Sequence, residues 1–249
     1  MFKGFYNLTS GMLTHGRNLN VISNNIANVA TTGYKADTFT AQPFDIEMYS
    51  RVGNKDKQYI DIGEQSYITA PSQLYTDYDQ ESFDATGEPL DFAIEGEGWF
   101  AVQAEEGRFY TRAGSFSLDE EGYLTLPGLG RVLDEAGNEI FLMTDKLQCD
   151  NFGNIYSEQD GLFVAKLGVF TFADGQQPEK NALGMFETDA QPQNAVAVVH
   201  NGMLERSNVD WVQQMVRMIS AQRAYQSAAQ VTKIYDQLMT KSTTELGRM

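Results

Sequence analysis

Apolar residues near the start of the chain fall at alternating steps of three and four: Phe5, Leu8, Met12, Leu19, Ile22, Ile26 and Val29, with only His15 breaking the series. Such spacing places them on one face of a helix, and its persistence favours a coiled-coil seam over a single amphipathic stripe. The pattern predicts a helix from about Lys3 to Val29, closed by Ala30-Thr31-Thr32-Gly33 with Gly33 as its C-terminal breaker. Gly4, Gly11 and Gly16 lie inside it, and each costs roughly 1 kcal/mol relative to alanine. A helix interrupted in this way is expected to order only against a partner.

A second helical pattern fills the other end, from about Asn208 to Leu246. Ser207 or Asn208 is the expected N-cap, with Asp210 in the first turn. Val212, Met215, Val216, Ile219, Tyr225, Val231, Ile234, Leu238 and Met239 make an apolar surface too broad for one seam. Alone, that surface describes a helix packed on its own domain. The matching heptad at the other terminus points instead to a helical pair whose members associate with each other and with neighbouring copies.

The middle alternates short β-favouring runs with turn residues. Trp99–Gln103, Arg108–Thr111, Ser115–Leu118, Tyr123–Thr125 and Arg131–Leu133 are separated by Glu106-Gly107, Glu121-Gly122, Gly128, Gly130 and Gly137-Asn138. This is the rhythm of an antiparallel meander or barrel. At least one further long strand is expected over Leu162–Phe172, between turns at Asp160-Gly161 and Asp174-Gly175. Upstream, Ile60, Ile62, Tyr67 and Ile68 hint at short strands, and the polar run Arg51–Lys57 reads as an exposed loop.

The charge changes the picture more than the composition does. A net charge of −16 excludes nucleic acid and anionic membrane surfaces as natural partners. It is unevenly placed: no acid precedes Asp37, and the helical tail carries Arg217, Arg223, Lys233 and Lys241 against few acids. Ends that pack together shed charge, and a middle that faces water keeps it. No stretch reaches the roughly 18 apolar residues of a membrane span, so no lipid insertion is expected. Met1 to Val29 has neither the continuous apolar core nor the cleavage site of a signal peptide.

Catalytic chemistry needs a constellation that is not evident. His15 sits on the heptad seam, where a polar residue sets register, and His200 has no evident partner. Cys149, the single cysteine, has only Lys146 nearby and reads as an inert thiol. Glu95 and Glu97 share a strand face and Glu105/Glu106 lie at a turn; acidic chains produce such pairs freely, although the first has a geometry open to glycosidase chemistry. Gly96-Glu97-Gly98 lacks the lysine and following helix of a phosphate loop. Asn24, Asn25 and Asn28 fit backbone hydrogen bonding at a helix end or between subunits better than ligand binding.

Three segments carry a resemblance. Leu19-Asn20-Val21-Ile22-Ser23-Asn24-Asn25-Ile26-Ala27-Asn28-Val29-Ala30-Thr31-Thr32-Gly33-Tyr34-Lys35 resembles the N-terminal signature of bacterial flagellar rod and hook proteins, with Ala30 where asparagine is common. Leu204–Asp210, Met215–Ile219 and Ala221–Tyr225 are similar to the C-terminal signature. Gly96–Phe100, Tyr110–Phe116 and Val132–Asp134 resemble the shared β-domain. The resemblance implies an axial subunit of the basal body, its terminal helices forming the tube wall as coiled-coil layers with the β-domain outside. It also implies export by the flagellar type III apparatus. Length and the single β-domain suit a rod protein, without separating a distal from a proximal one.

The expected fold is therefore α+β, a mainly-β domain in the middle with N- and C-terminal helices pairing in a coiled-coil-like domain. Residues 1–35 and 207–249 form the helical assembly domain, 36–90 an extended arm and surface loop, and 91–206 the β-domain. The expected assembly interface is Phe5, Leu8, Met12, Leu19, Ile22, Asn25, Ile26 and Val29 with Val212, Met215, Val216, Ile219, Tyr225, Val231, Ile234 and Leu238. The expected function is a structural rod subunit that needs no cofactor and is not an enzyme. Its expected partners are further copies, other rod and hook subunits and the export apparatus. The alternative is a carbohydrate-binding or glycoside-hydrolysing acidic β-domain with helical ends.

Overall fold

The computed structural model describes residues 2–43, 46–52, 59–66, 69–144, 146–158, 160–173, 178–181 and 184–247. The expected turn at Asp174-Gly175, the residues Tyr67 and Ile68, and most of the run Arg51–Lys57 lie outside the described residues. The chain divides into two units, Met1–Ala27 with Asp37–Asp77 and Asp210–Met249, and Asn28–Ala36 with Tyr78–Val209. The stretch 37–77 thus groups with the helices, and 28–36 with the β-rich unit.

The first unit is built on two long helices, α1 (Phe2–Ala27) and α2 (Trp211–Leu246). They pack along each other in opposite directions. Tyr235 lies against Gly4, the Thr232 hydroxyl donates to the Met12 sulfur at 3.6 Å, and Tyr225 lies near Gly16. α1 runs unbroken through its three glycines. It also meets a ribbon: β1 (Asp37–Pro43) pairs antiparallel with β4 (Thr69–Thr76), and nested between them β2 (Ile46–Val52) pairs with β3 (Tyr59–Ser66). The Thr14 hydroxyl donates to the Thr69 carbonyl across that contact at 3.2 Å.

Both helix ends differ from expectation. α1 stops at Ala27, six residues before Gly33. Gly33 does adopt the left-handed conformation, φ +66°, but in the second unit, where a Cβ would lie 2.3 Å from the carbonyl carbon of Arg112. Glycine is required there for its conformation and for the close approach. α2 starts at Trp211, and its N-cap is Asp210, whose carboxylate accepts from the Gln213 N–H at 3.1 Å. Asn208 is engaged elsewhere.

The second unit is mainly β. Its strands include β5 (Phe83–Ala85), β6 (Phe92–Glu95), β7 (Trp99–Ala104) and β8 (Gly107–Thr111). Among the described residues its largest sheet has nine strands, with β7 paired to β8 on one edge and to Gly130–Val132 and Val169–Thr171 on the other. β7 is buried on both faces: Phe100 and Val102 join the main core with Phe92, Phe109, Phe116 and Leu124, while Trp99 and Ala101 join Tyr110, Phe170 and Phe186. Period-two alternation thus feeds two cores from one strand.

Three loops repeat one device. Asp119, Asp134 and Asp150 each accept the N–H groups two and four residues on, and Gly122, Gly137 and Gly153 donate back to those aspartates' carbonyls at 3.1 Å. The glycines hold φ +80° to +89°. The aspartate side chain supplies the turn's hydrogen bonds and the glycine its backbone. Gly130, read as a turn, instead starts a strand; a Cβ there would lie 2.1 Å from the Gln103 carbonyl oxygen. The stretch Leu162–Phe172 holds two short strands, Phe163–Lys166 and Val169–Thr171, in different sheets. The break is at Gly168, whose missing side chain admits the Asp134 carbonyl.

The units divide the charge completely. The first holds ten acidic and ten basic residues, the second twenty-four acidic against eight basic, so the whole net charge of −16 belongs to the second.

A Cβ at Gly11 would meet nothing within 4 Å. Gly11→Ala should therefore stabilise the free protein by up to about 1 kcal/mol, the helix-propensity difference, in a denaturant titration. A loss of stability would overturn this account of the position.

Candidate assembly site

α1 ends where Asn25 turns its amide onto the chain's own backbone. Its Nδ2 donates to the Asp37 carbonyl at 2.7 Å and its Oδ1 accepts from the Asp37 N–H at 3.0 Å. Asn25 is 1% exposed, and this two-way bond ties the start of β1 to the last turn of α1. An amide is the side chain that offers both a donor and an acceptor at that reach.

The segments on either side of the helices meet in a polar cluster inside the second unit. The Glu205 carboxylate accepts from Lys35 Nζ at 2.6 Å on one oxygen and from Arg112 Nη1 at 3.4 Å on the other. Lys35 also donates to the Asp79 carbonyl, and Arg112 to the Gly96 and Ile94 carbonyls. The backbone joins in: Gly33 N–H donates to Glu205 O, Ala36 N–H to Asn208 Oδ1, and Asn208 N–H to Tyr34 O. Tyr34, Ala36 and Val209 pack together beside it, with Lys180 Nζ 3.7 Å over the Tyr34 ring. Burial pulls the Arg112 pKa down, opposed by the charges of Glu205 and then Glu97. An arginine stays ionised in such a site, so the ion pair survives. Charges this deep persist only when paired.

The expected interface residues divide by helix. On α1, Ile22 is buried at 4% exposure, Leu8, Met12, Leu19 and Ile26 are half-buried, and Phe5 is exposed. Val29, just past the helix, packs on the Tyr34–Val209 cluster. On α2 the residues turned inward are Gln214, Met218, Ala221, Ala228, Thr232, Tyr235 and Met239, mostly small or polar. Val212, Val216, Ile219, Val231, Ile234 and Leu238 are left outside, at 43% to 64% exposure, with Met215 and Tyr225 at the margin. The apolar face of α2 is thus left open to solvent among the described residues.

The set-aside chemistry stays local. His15 lines a groove between α1, β1 and α2. His200 does have a partner: its Nε2 lies 2.7 Å from Glu95 Oε2, and its ring meets Phe83. The strand pairing of His200 with Ala93 brings the two side chains together, which local sequence does not show. Among the described residues no group of three metal-ligating side chains occurs, and no helix is long and apolar enough to cross a membrane.

The two ends of the chain and its middle each match a known family model. The model described as "Flagella basal body rod protein" matches residues 5–35, "Flagellar hook protein FlgE/F/G D1 domain" residues 93–140, and "Flagellar basal body rod FlgEFG protein C-terminal" residues 200–245. Flagellar basal-body rod protein FlgF of Caulobacter vibrioides is 30% identical, over 96% of each chain. The chain belongs to the flagellar basal-body rod protein family. FlgG of Bacillus subtilis is 29% identical over 96% of this chain and 97% of its own, and the flagellar hook-basal body complex protein FlhO of the same organism is 27% identical over 100% of both.

This rod-family chain is a structural subunit of the bacterial flagellar basal body, and its relatives are named as basal-body rod or hook-basal body complex proteins. The carbohydrate alternative finds no support. The family matches contain the residues of the polar cluster: Lys35 is the last residue of the first, Arg112 lies within the second and Glu205 near the start of the third. The ion pair between them was not foreseen. The available signal was Lys35 at the end of an uncharged run from Asn18 to Tyr34, and Glu205 beside Arg206.

Glu205→Gln would leave Lys35 and Arg112 buried without their counter-charge. We expect a loss of about 3–5 kcal/mol, lowering the melting temperature by roughly 10 °C or more. A change under about 1 kcal/mol would show that the cluster is dispensable to folding.

Burial, with the Asp150 charge adding to it, pushes the Cys149 thiol up to about 12. An unfolded thiol ionises near ~8.5. Between those values the folded state holds the extra proton, so its stability is full below roughly pH 8.5 and falls as pH rises toward 12. Cys149→Ala should flatten that alkaline limb in pH-dependent melts; an unchanged limb would contradict the burial argument.

Proposed function

We propose that the subunit polymerises with further copies and neighbouring axial subunits through its two terminal helices, 1–35 and 207–249, to build a tubular shaft. The observation that carries this reading is the outer face of α2. Val212, Val216, Ile219, Ile234 and Leu238 are apolar, more than 45% exposed and spread along a 36-residue helix. Faces of that extent on a soluble protein mark interaction surfaces. The neutrality of the helical unit supports the same reading, because its copies meet without net repulsion.

In the shaft, α1 and α2 of adjacent copies form coiled-coil layers. Phe5, Val212, Val216, Ile219, Val231, Ile234 and Leu238 supply the contacts between copies, while Ile22, Asn25 and Met12 brace the helices of one copy. The strongly acidic β-rich unit stays toward water. Export proceeds through the flagellar type III apparatus, a reading supported by family membership.

Val216→Asp combined with Ile219→Asp tests this. Both sites are solvated in the free subunit, so its melting temperature should shift by no more than about 2 °C. In the shaft two unpaired carboxylates per copy would cost several kcal/mol, and rods and swimming should be lost. Ile22→Asp, buried within the chain, should instead damage the free subunit. Normal rods in cells carrying the double variant would sink the proposal.

A further inference from the structure

The second unit carries an exposed apolar groove that the helical assembly reading does not use. One wall is the strand Phe163–Lys166, the outermost of a three-stranded sheet, with Leu162 just before it. The other is Ile140 and Phe141 with the Asp134 loop. The groove encloses about 780 Å³. Leu162 and Phe163 are 66% and 58% exposed, and Phe141 and Val164 are also open to solvent.

Its lining is acidic as well as apolar, with Asp134, Glu135, Glu139 and Asp160 set against Lys166. Glu135 is paired with Lys166, and Glu139 with Arg131. Asp160 is exposed and makes no hydrogen bond or ion pair among the described residues. Next to the groove the chain shows which cation fits such surroundings. Arg131 is held by Asp119, Glu121 and Glu139 with its guanidinium 4.0 Å over the Tyr123 ring, and Tyr123 in turn packs against Phe141. A planar guanidinium satisfies carboxylates and stacks on aromatic rings together, which an ammonium does less well.

We infer that this groove docks an arginine-bearing apolar segment of another protein, its aliphatic residues seated on Leu162, Phe163 and Phe141 and its arginine on Asp160. The β-rich unit of a second copy is a poor occupant, because it carries twenty-four acids against eight bases and would meet an acidic lining. The outer edge of Phe163–Lys166 is interrupted by a bulge at Val164, where Ile155 pairs with Ala165 and Tyr156 with Phe163. A bulge blunts an edge against strand addition, so recognition runs through side chains.

The test uses the full chain and an acetylated, amidated Leu-Arg-Leu-Arg-Leu peptide, with its lysine and glutamate counterparts, by titration calorimetry and amide exchange. The arginine peptide should bind and protect residues 162–165. Phe163→Ser and Asp160→Asn, both at exposed sites, should each weaken it tenfold or more; the lysine peptide should bind several-fold less tightly and the glutamate peptide not at all. Absent binding, or binding indifferent to Phe163→Ser, would overturn the inference. So would concentration-dependent sedimentation of the wild type that Phe163→Ser abolishes, because the groove would then join copies of this chain.

Discussion

Glu205 has no access to water, and the joining of the segments beside the two helices depends on how its carboxylate is met. Its two oxygens take Lys35 and Arg112, 170 and 93 residues away in sequence. Its own carbonyl takes the Gly33 N–H. The chain that leaves α1 and the chain that enters α2 are thereby held side by side, at a register in which both cations reach the carboxylate. A hydrophobic contact in the same place tolerates a slide by one residue; a buried ion pair does not, because a displaced partner leaves an uncompensated charge. The pairing stands on strands of the β-rich unit, since Glu205 pairs with Phe83 and Arg112 follows β8 directly.

Around that cluster the molecule separates two tasks by charge. The helical unit is neutral overall and keeps long apolar side chains on the outside of α2, a combination that suits packing against copies of itself. The β-rich unit holds the entire net charge and buries its aromatic residues in two cores sharing β7. An acidic body resists unplanned association in solution, and a neutral helical pair suits the contact proposed for assembly.

Helix existence, the β-rich middle and most of its turns were legible in local pattern. The heptad from Phe5 to Val29 marks α1, and Asp-x-x-Gly spacing marks three loops whose hydrogen bonds are made within five residues. Family membership was legible for a similar reason, since its signatures are contiguous. Where local pattern failed, a distant segment had intervened. The Leu162–Phe172 run is uniformly β-favouring, but Asp134 crosses at Gly168 and divides it. Asn208 is a good cap by type, but Ala36 claims its side chain and the cap passes to Asp210.

The sequence by itself determined which stretches form helices and strands, where charge lies, and to which family the chain belongs, because periodicity, turn chemistry and signature residues act over short spans. Only the tertiary structure decided which apolar residues are spent inside the chain and which remain available. Ile22 and Val216 look alike along a helix, yet one is 4% exposed and the other 60%. The difference comes from what packs alongside: α1 lies between α2 and the β1–β4 ribbon, whereas α2 among the described residues packs mainly on α1. The same reason hid the pairs of Lys35 with Glu205 and of His200 with Glu95, brought within reach across more than a hundred residues by the Gly33–Glu205 backbone hydrogen bond in the first case and by strand pairing in the second.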